Sequence, residues 1–197
     1  MIKRAFDILA SSTALLLFLP LFLVLALAVA LSSPGGAFFR QVRVGKEGRS
    51  FSLLKFRTMR PGSEAKGQIT VGGRDPRITG IGYFLRKSKL DELPQLLNVL
   101  LGDMSIVGPR PEVPRYVALY SAEQREVLSV RPGITSLASI EYINENEVLG
   151  SSSDPERTYV EEVMPAKLAL DLQYVGEQDL ALDVRIILRT LARIARV

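Results

Sequence analysis

An uncharged apolar run from Ile8 to Phe39, one pair of alternating segments around a glycine-containing turn, and several stretches with apolar residues at helical spacing predict an α+β fold, mostly α. Its parts are an N-terminal helix buried in a membrane, a small β-hairpin, and amphipathic helices lying at the membrane interface. The division falls at residue 36, with the anchor in 1–36 and a polar domain in 37–197. At 197 residues there is room for one domain and an appendage, and for a core that needs no staples. The chain has no Cys and no His. That excludes disulfides, thiol nucleophiles, imidazole bases and His- or Cys-ligated metals. A nucleophile or base here is Asp, Glu, Lys, Tyr, Ser or Thr, and a metal is a hard, oxygen-seeking ion such as Mg²⁺.

The stretch Ile8–Leu31 is mostly Leu, Ala, Val and Phe, and as a helix it is long enough to cross a bilayer core of about 30 Å. It is too long for a signal-peptide core. Two readings of its path stand side by side. One is a single spanning helix. The other is a helix that enters, bends at Leu19-Pro20 and returns to the same face. Pro20 lies near the middle, where it removes a helical hydrogen bond, and both flanks are basic: Lys3 and Arg4 before, Arg40, Arg43, Lys46 and Arg49 after. Ser11, Ser12 and Thr13 are available to satisfy backbone groups near such a bend.

Ser32-Ser33-Pro34-Gly35-Gly36 is a turn that closes the anchor. Strands are expected at Phe38–Val44 and Phe51–Thr58, joined by Gly45-Lys46-Glu47-Gly48. Period-two alternation puts Lys55 and Arg57 on one strand face, either as a functional pair or as a solvated edge. Residues 60–80, rich in Gly, Pro and charge, read as a loop. A short helix is expected over Ile81–Arg86. Ser88-Lys89-Leu90-Asp91 then matches a capping box opening a helix through Leu100, which Gly102 ends. Pro109-Arg110-Pro111 is a rigid, extended tripeptide. Ser121 caps a helix to about Val130, and Asp154-Pro155 starts another that Pro165 interrupts. The final helix, 179–196, carries Arg185, Arg189, Arg193 and Arg196 on one side. It reads equally as a core helix with a solvated face or as one lying on an anionic membrane.

Charge is segregated. Residues 40–90 hold thirteen basic side chains against three acidic, while 91–197 hold ten against seventeen. A basic block of this kind suits an anionic partner. It lacks the interleaved aromatic residues of a single-strand nucleic-acid surface, so no nucleic-acid partner is expected.

Adjacent carboxylates at Asp91 and Glu92 are, taken alone, a common helix-start device. Their setting suggests more. Arg86, Lys87 and Lys89 precede them, and Arg110 is held between two prolines. Carboxylates, a hard metal and fixed arginines make a phosphate site. A carboxylate also attacks phosphorus to give an acyl phosphate, dividing one transfer into two. In a chain without His or Cys, Asp91 is the leading candidate.

The runs Lys55-Phe56-Arg57-Thr58-Met59, Leu90-Asp91-Glu92-Leu93-Pro94-Gln95, Asn98-Val99-Leu100, Gly102-Asp103-Met104-Ser105, Val107-Gly108-Pro109-Arg110-Pro111 and Arg131-Pro132-Gly133-Ile134-Thr135 occur in this order. Together they resemble the bacterial sugar transferases, the small monotopic phosphoglycosyl transferases. The resemblance implies transfer of a phospho-sugar from a UDP-sugar to a polyprenol phosphate, with release of UMP. It places the catalytic domain on the cytoplasmic face of the bacterial inner membrane, in contact with membrane lipids. It implies Asp91 as the nucleophile, Glu92 as its assistant through a metal or a proton, and Mg²⁺ on Asp91 and Glu92. Arg86, Arg110 and Arg131, with Lys55 and Arg57, become phosphate or nucleotide ligands. It also implies that Ile8–Leu31 is re-entrant, bent at Pro20. Leu19 stands where relatives often carry Ser, and Ser136 and Ser139 stand where a Gly and a Gln are expected. Two alternatives remain: the same transfer by direct attack without a covalent intermediate, and a non-catalytic membrane-anchored protein that holds anions.

Overall fold

A computed structural model describes residues 2–63, 67, 69–72 and 75–195. Arg196 and parts of the 60–80 loop lie outside the described residues.

Helix α1, Ile2–Ser32, is one continuous helix with Pro20 inside it. Its mean hydropathy reaches 3.0, so it is long and apolar enough to cross a membrane. Both of its ends dock on the same body. At the start, Arg4 donates to the carbonyls of Val99 and Leu100 at 2.5 and 2.9 Å, and Asp7 accepts from Ser105 Oγ and the Ile106 N–H at 3.0 and 3.1 Å. Lys3 meets Asp183 at 2.5 Å, and Asp183 also accepts from the Tyr174 hydroxyl at 2.7 Å. These polar residues are therefore docking groups as well as a flank. Ser11 donates back to the Asp7 carbonyl at 2.6 Å, so it serves this docked end and not a bend. Toward the other end, Leu25 and Val29 are buried with Phe56 and Leu85, and the rings of Phe22, Phe38 and Phe56 pack together with centroids 5.0–5.9 Å apart. Between the two docked parts, Leu16–Leu21 is exposed on every side.

Strands β1, Phe38–Val44, and β2, Ser50–Phe56, form the antiparallel hairpin with Phe38 opposite Phe56 and Val44 opposite Ser50. Their turn puts Glu47 and Gly48 at positive φ, as a tight connection requires. The register places Phe39, Gln41 and Arg43 on the same face as Lys55, Leu53 and Phe51. Asn98 extends the hairpin: its side chain accepts from the Leu54 N–H at 3.0 Å and donates to the Ser52 carbonyl at 2.8 Å. That buried amide ties β2 to helix α3, Gln95–Leu101.

Helix α2, Gly80–Lys87, starts at Thr79, whose hydroxyl accepts from the Gly82 N–H at 3.0 Å. A Cβ on Gly82 would lie 2.1 Å from the Thr58 carbonyl, so only glycine lets α2 cross the end of the hairpin. The expected capping box does not form. Ser88 closes α2 by donating to the Phe84 carbonyl at 2.8 Å, and the next helical residues are a single 3₁₀ turn, Leu90–Glu92, before α3. Pro94 separates the two, because it lacks the N–H that a longer helix would need.

Strands β3, Ser105–Val107, and β4, Gly133–Thr135, pair in parallel. Cβ atoms on Gly108 or Gly133 would meet the other segment's backbone at 2.4 or 2.1 Å, which explains a glycine in each of the two motifs. The remaining elements are α4, Pro114–Val117; a 3₁₀ segment, Gln124–Ser129, where Ser121 caps as expected; α5, Leu137–Glu141; α6, Glu145–Gly150; α7, Pro155–Thr158; α8, Met164–Glu177; and α9, Leu180–Ile194. Pro165 does not interrupt its helix. A π turn, Tyr159–Val163, widens the path just before it and absorbs the missing hydrogen bond. Helix α9 buries Ile186 in the core and turns Arg185, Arg189 and Arg193 outward beside exposed Val184, Leu188 and Leu191.

Candidate active site

The site begins with a reversal of the backbone. The Lys89 N–H still bonds to the Arg86 carbonyl at 3.3 Å, but Lys89 itself is left-handed, with φ at 57°. A non-glycine residue there costs roughly 1–2 kcal/mol. The reversal drives Leu90 and Leu93 into the cluster formed by Leu25, Val29, Phe56 and Leu85. The turn carrying Asp91 and Glu92 is thereby packed directly on the second half of α1.

Glu92 is gripped from two sides. Lys55 Nζ donates to Oε1 at 3.0 Å and Arg110 Nη2 donates to the same oxygen at 2.7 Å, with Nη1 at 3.4 Å from Oε2. Burial would raise the Glu92 pKa, but Arg110 and Lys55 outweigh it and hold this carboxyl well below the usual range. The same contact raises Arg110, while burial lowers Lys55 against the pull of Glu92. Asp91 differs in kind. It is 7 % exposed and, among the described residues, accepts no hydrogen bond. Burial pushes its carboxyl upward; Lys55 opposes this and the charge on Glu92 adds to it. One carboxylate is thus bound and ionised, and the other is more basic than usual and, among the described residues, takes no hydrogen bond.

Arg86 supplies the next charge. It donates from Nε to Thr58 Oγ1 at 2.8 Å and from Nη1 to Thr70 Oγ1 at 3.0 Å, and its charge acts on Asp91. So Asp91, Glu92, Lys55, Arg86 and Arg110, drawn from four separate segments, meet in one place. Arg57 and Arg131 do not join them. Strand β2 ends at Phe56, and Arg57 turns under the anchor, donating to the Ser33 carbonyl at 2.6 Å. Arg131 Nε donates to the Gly102 carbonyl at 2.8 Å, at the far end of α3 from the dyad. The equal-face expectation for Lys55 and Arg57 fails because the strand stops between them.

Three contributors were missed. Arg43 reaches the Pro111 carbonyl and Glu112, each at 3.0 Å, and Glu112 also accepts from the Tyr159 hydroxyl. This cluster holds the segment that presents Arg110. The hairpin register puts Arg43 opposite Phe51, on the same face as Lys55 but further along the strand. Asp171, 3 % exposed on α8, feels Ser136 and Arg110, and among the described residues its Oδ1 has no partner. Burial raises it to about 7. Ser136, unexpected by resemblance, is buried, accepts from the Ser139 N–H at 3.1 Å and starts α5.

Among the described residues no group of three or more acidic side chains forms a cage for a metal. Mg²⁺ commonly takes one or two carboxylates and completes its shell with water and substrate phosphates. Asp91, with free oxygens beside Arg86 and Lys55, fits that mode. Glu92, with both oxygens facing cations, is already engaged.

The sequence model described as "Bacterial sugar transferase" matches residues 1–197. A UDP-glucose:undecaprenyl-phosphate glucose-1-phosphate transferase of Caulobacter vibrioides is 41 % identical over 95 % of the chain and 67 % of its own length. An exopolysaccharide production protein of Rhizobium leguminosarum is 41 % identical over 96 % of the chain and 92 % of its own length. A UDP-N-acetylgalactosamine-undecaprenyl-phosphate N-acetylgalactosaminephosphotransferase of Aeromonas hydrophila is 40 % identical over 98 % of the chain but only 43 % of its own length. With the whole chain matched, and a clustered Asp-Glu pair ringed by cations, this protein belongs to the bacterial sugar transferase family.

Proposed function

We propose that this chain transfers a phospho-sugar from a UDP-sugar to a polyprenol phosphate through a covalent intermediate on Asp91. The observation that carries the reading is the asymmetry of the dyad: Glu92 is neutralised by Lys55 and Arg110, while Asp91 is buried among cations and, among the described residues, its oxygens have no hydrogen-bond partner. In the first step an Asp91 oxygen forms a bond to the phosphorus that bears the sugar, and the bond from that phosphorus to the bridging oxygen breaks. UMP leaves with the electron pair. In the second step a phosphate oxygen of the polyprenol phosphate attacks the same phosphorus and displaces the Asp91 carboxylate, giving the diphosphate-linked sugar. Arg86 holds phosphate charge beside Asp91, and Lys55 stays within reach to stabilise the leaving carboxylate. Glu92 acts by fixing Lys55 and Arg110, because a carboxyl held this far below its usual range is a poor proton acceptor. Mg²⁺, held through Asp91, would neutralise phosphate oxygens that the arginines do not reach.

The location is part of the reading. One substrate is soluble and the other has an apolar tail, so the site belongs at headgroup level. The turn bearing Asp91 packs on α1, both ends of α1 dock on one body, and the exposed apolar stretch Leu16–Leu21 lies between them. These facts support a helix that dips into the membrane and returns, with the domain on the cytoplasmic face of a bacterial inner membrane. The outward arginines of α9 suit anionic headgroups.

The test is UMP release from a UDP-sugar that requires polyprenol phosphate, together with label from the sugar phosphate retained on the protein. Direct attack predicts turnover without retained label. Equal label on Asp91→Asn and wild type would remove Asp91 as the nucleophile, and a protein that binds anions without any turnover would remove the enzyme reading.

A further inference from the structure

A run of contacts leads from the dyad's cations to α6, and it has no part in the chemistry above. Arg86, beside Asp91, donates to Thr70 Oγ1 at 3.0 Å. Two residues on, the Gly72 N–H donates to the Asn146 carbonyl of α6 at 2.9 Å. One residue before Asn146, Glu145 acts on Arg110, which returns to Glu92. Residues 69–72 therefore bridge from the cation at Asp91 to the helix next to the cation at Glu92.

The bridge is seated firmly at both ends. The Ile69 carbonyl accepts from Arg77 Nη2 at 2.7 Å, and the Ile69 side chain packs on the core that includes Tyr142 and Leu149. At the other end two glycines touch: a Cβ on Gly150 would stand 2.7 Å from Gly72 Cα and 3.0 Å from its nitrogen. That contact leaves no space for a side chain, so Gly150 sets how closely the bridge approaches α6. Thr70 has a defined polarity as well. Arg86 donates to its oxygen, which leaves the hydroxyl proton to act as a donor.

We propose that this bridge and its seat on α6 select the sugar of the donor, with Thr70 as a hydrogen-bond donor to the sugar and the Gly72–Gly150 contact setting its position. The inference rests on the transferase reading. The sugar ring is joined to the attacked phosphorus through a single oxygen, so it comes within reach of the groups held around Asp91, of which Thr70, bonded to Arg86, is one. The near side is charged and suits phosphate. The bridge presents an uncharged hydroxyl and backbone groups, which suit sugar hydroxyls and amides. A site built to hydrogen-bond one substrate group discriminates strongly against a substrate that lacks it in the right place.

The experiment uses the full chain in detergent or nanodiscs with a polyprenol phosphate. UMP release is measured with UDP-glucose, UDP-galactose, UDP-N-acetylglucosamine and UDP-N-acetylgalactosamine for wild type, Thr70→Val, Thr70→Ser and Gly150→Ala. Thr70→Val and Gly150→Ala are expected to change the ratio of kcat/KM between the best donor and its nearest competitor by about tenfold or more. The KM for polyprenol phosphate should stay within about twofold, and Thr70→Ser should keep the wild-type ratios, since it keeps the hydroxyl. Equal losses for every donor in Thr70→Val, with ratios unchanged, would overturn the proposal and leave the bridge a structural brace. If Gly150→Ala does not fold, as judged by its melting transition, the Thr70 pair still decides. Wild-type protein inactive with all four donors would instead overturn the transferase reading, a result distinguishable from unchanged ratios.

Discussion

Replacing Glu92 with Gln tests the electrostatic core of the site. The substitution keeps the size and one acceptor oxygen but removes the charge that Lys55 and Arg110 share at 3.0 and 2.7 Å. Breaking a buried ion pair by neutralising one partner costs about 3–5 kcal/mol. Arg110 is one-third exposed, so water screens part of the loss and the lower end, about 3 kcal/mol, applies. For a chain of this size that is a drop of roughly 9 °C in melting temperature. A second effect falls on Asp91. The charge of Glu92 raises the Asp91 carboxyl and that of Lys55 lowers it. Glu92→Gln should therefore move the acid limb of the activity profile to lower pH, and Lys55→Met should move it to higher pH. The assay is single-turnover uptake of label from the donor without acceptor, so that the acceptor's own phosphate does not titrate in the signal. A melting temperature unchanged in Glu92→Gln, or acid limbs that move in the same direction in both variants, would refute this account of the dyad.

Asp171→Asn tests the second buried carboxyl. Its folded pKa is about 7 against an ordinary 3.8, so the folded protein holds the proton more tightly and stability is lost as pH rises from about 4 through about 7. Some three units correspond to at most about 4 kcal/mol, and Asn abolishes the dependence, so the variant's melting temperature relative to wild type should be higher at pH 8 than at pH 5. Gly82→Ala places a methyl 2.1 Å from the Thr58 carbonyl, which should cost about 1–3 kcal/mol and also reduce UMP release, because Thr58 holds Arg86. Arg131→Ala should lose no more than about 1 kcal/mol and keep most of its activity, since its contact is an exposed bond to Gly102, whereas Arg110→Ala should lose about a hundredfold or more in kcat. Melting curves and UMP release on the same preparations check all four variants.

Reading the sequence alone succeeded where a rule is local. Hairpin strands, the caps at Ser121 and Asp154, the apolar anchor and the clustering of basic residues all follow from periodicity and composition. The failures share one cause. Ser88 reads as a helix start by spacing, but Lys89 turns left-handed so that Leu90 and Leu93 can reach α1, and burial of two leucines outweighs one cap. Arg57 and Arg131 look like Lys55 and Arg110 in sequence, yet their side chains meet carbonyls of the anchor turn and of α3. Nothing in a linear string tells a cation that faces a carboxylate from one that closes a helix.

The chain's own order of residues determined that a long apolar helix, a hairpin and an Asp-Glu pair exist, because each depends on neighbours within a few positions. Only the folded arrangement decided that Glu92 is neutralised and Asp91 is left open. That outcome needs Lys55 from the hairpin and Arg110 from a loop anchored through Glu112 to Arg43. Charge interactions act through space and are strengthened by burial, so their result is set by which distant segments the core brings together.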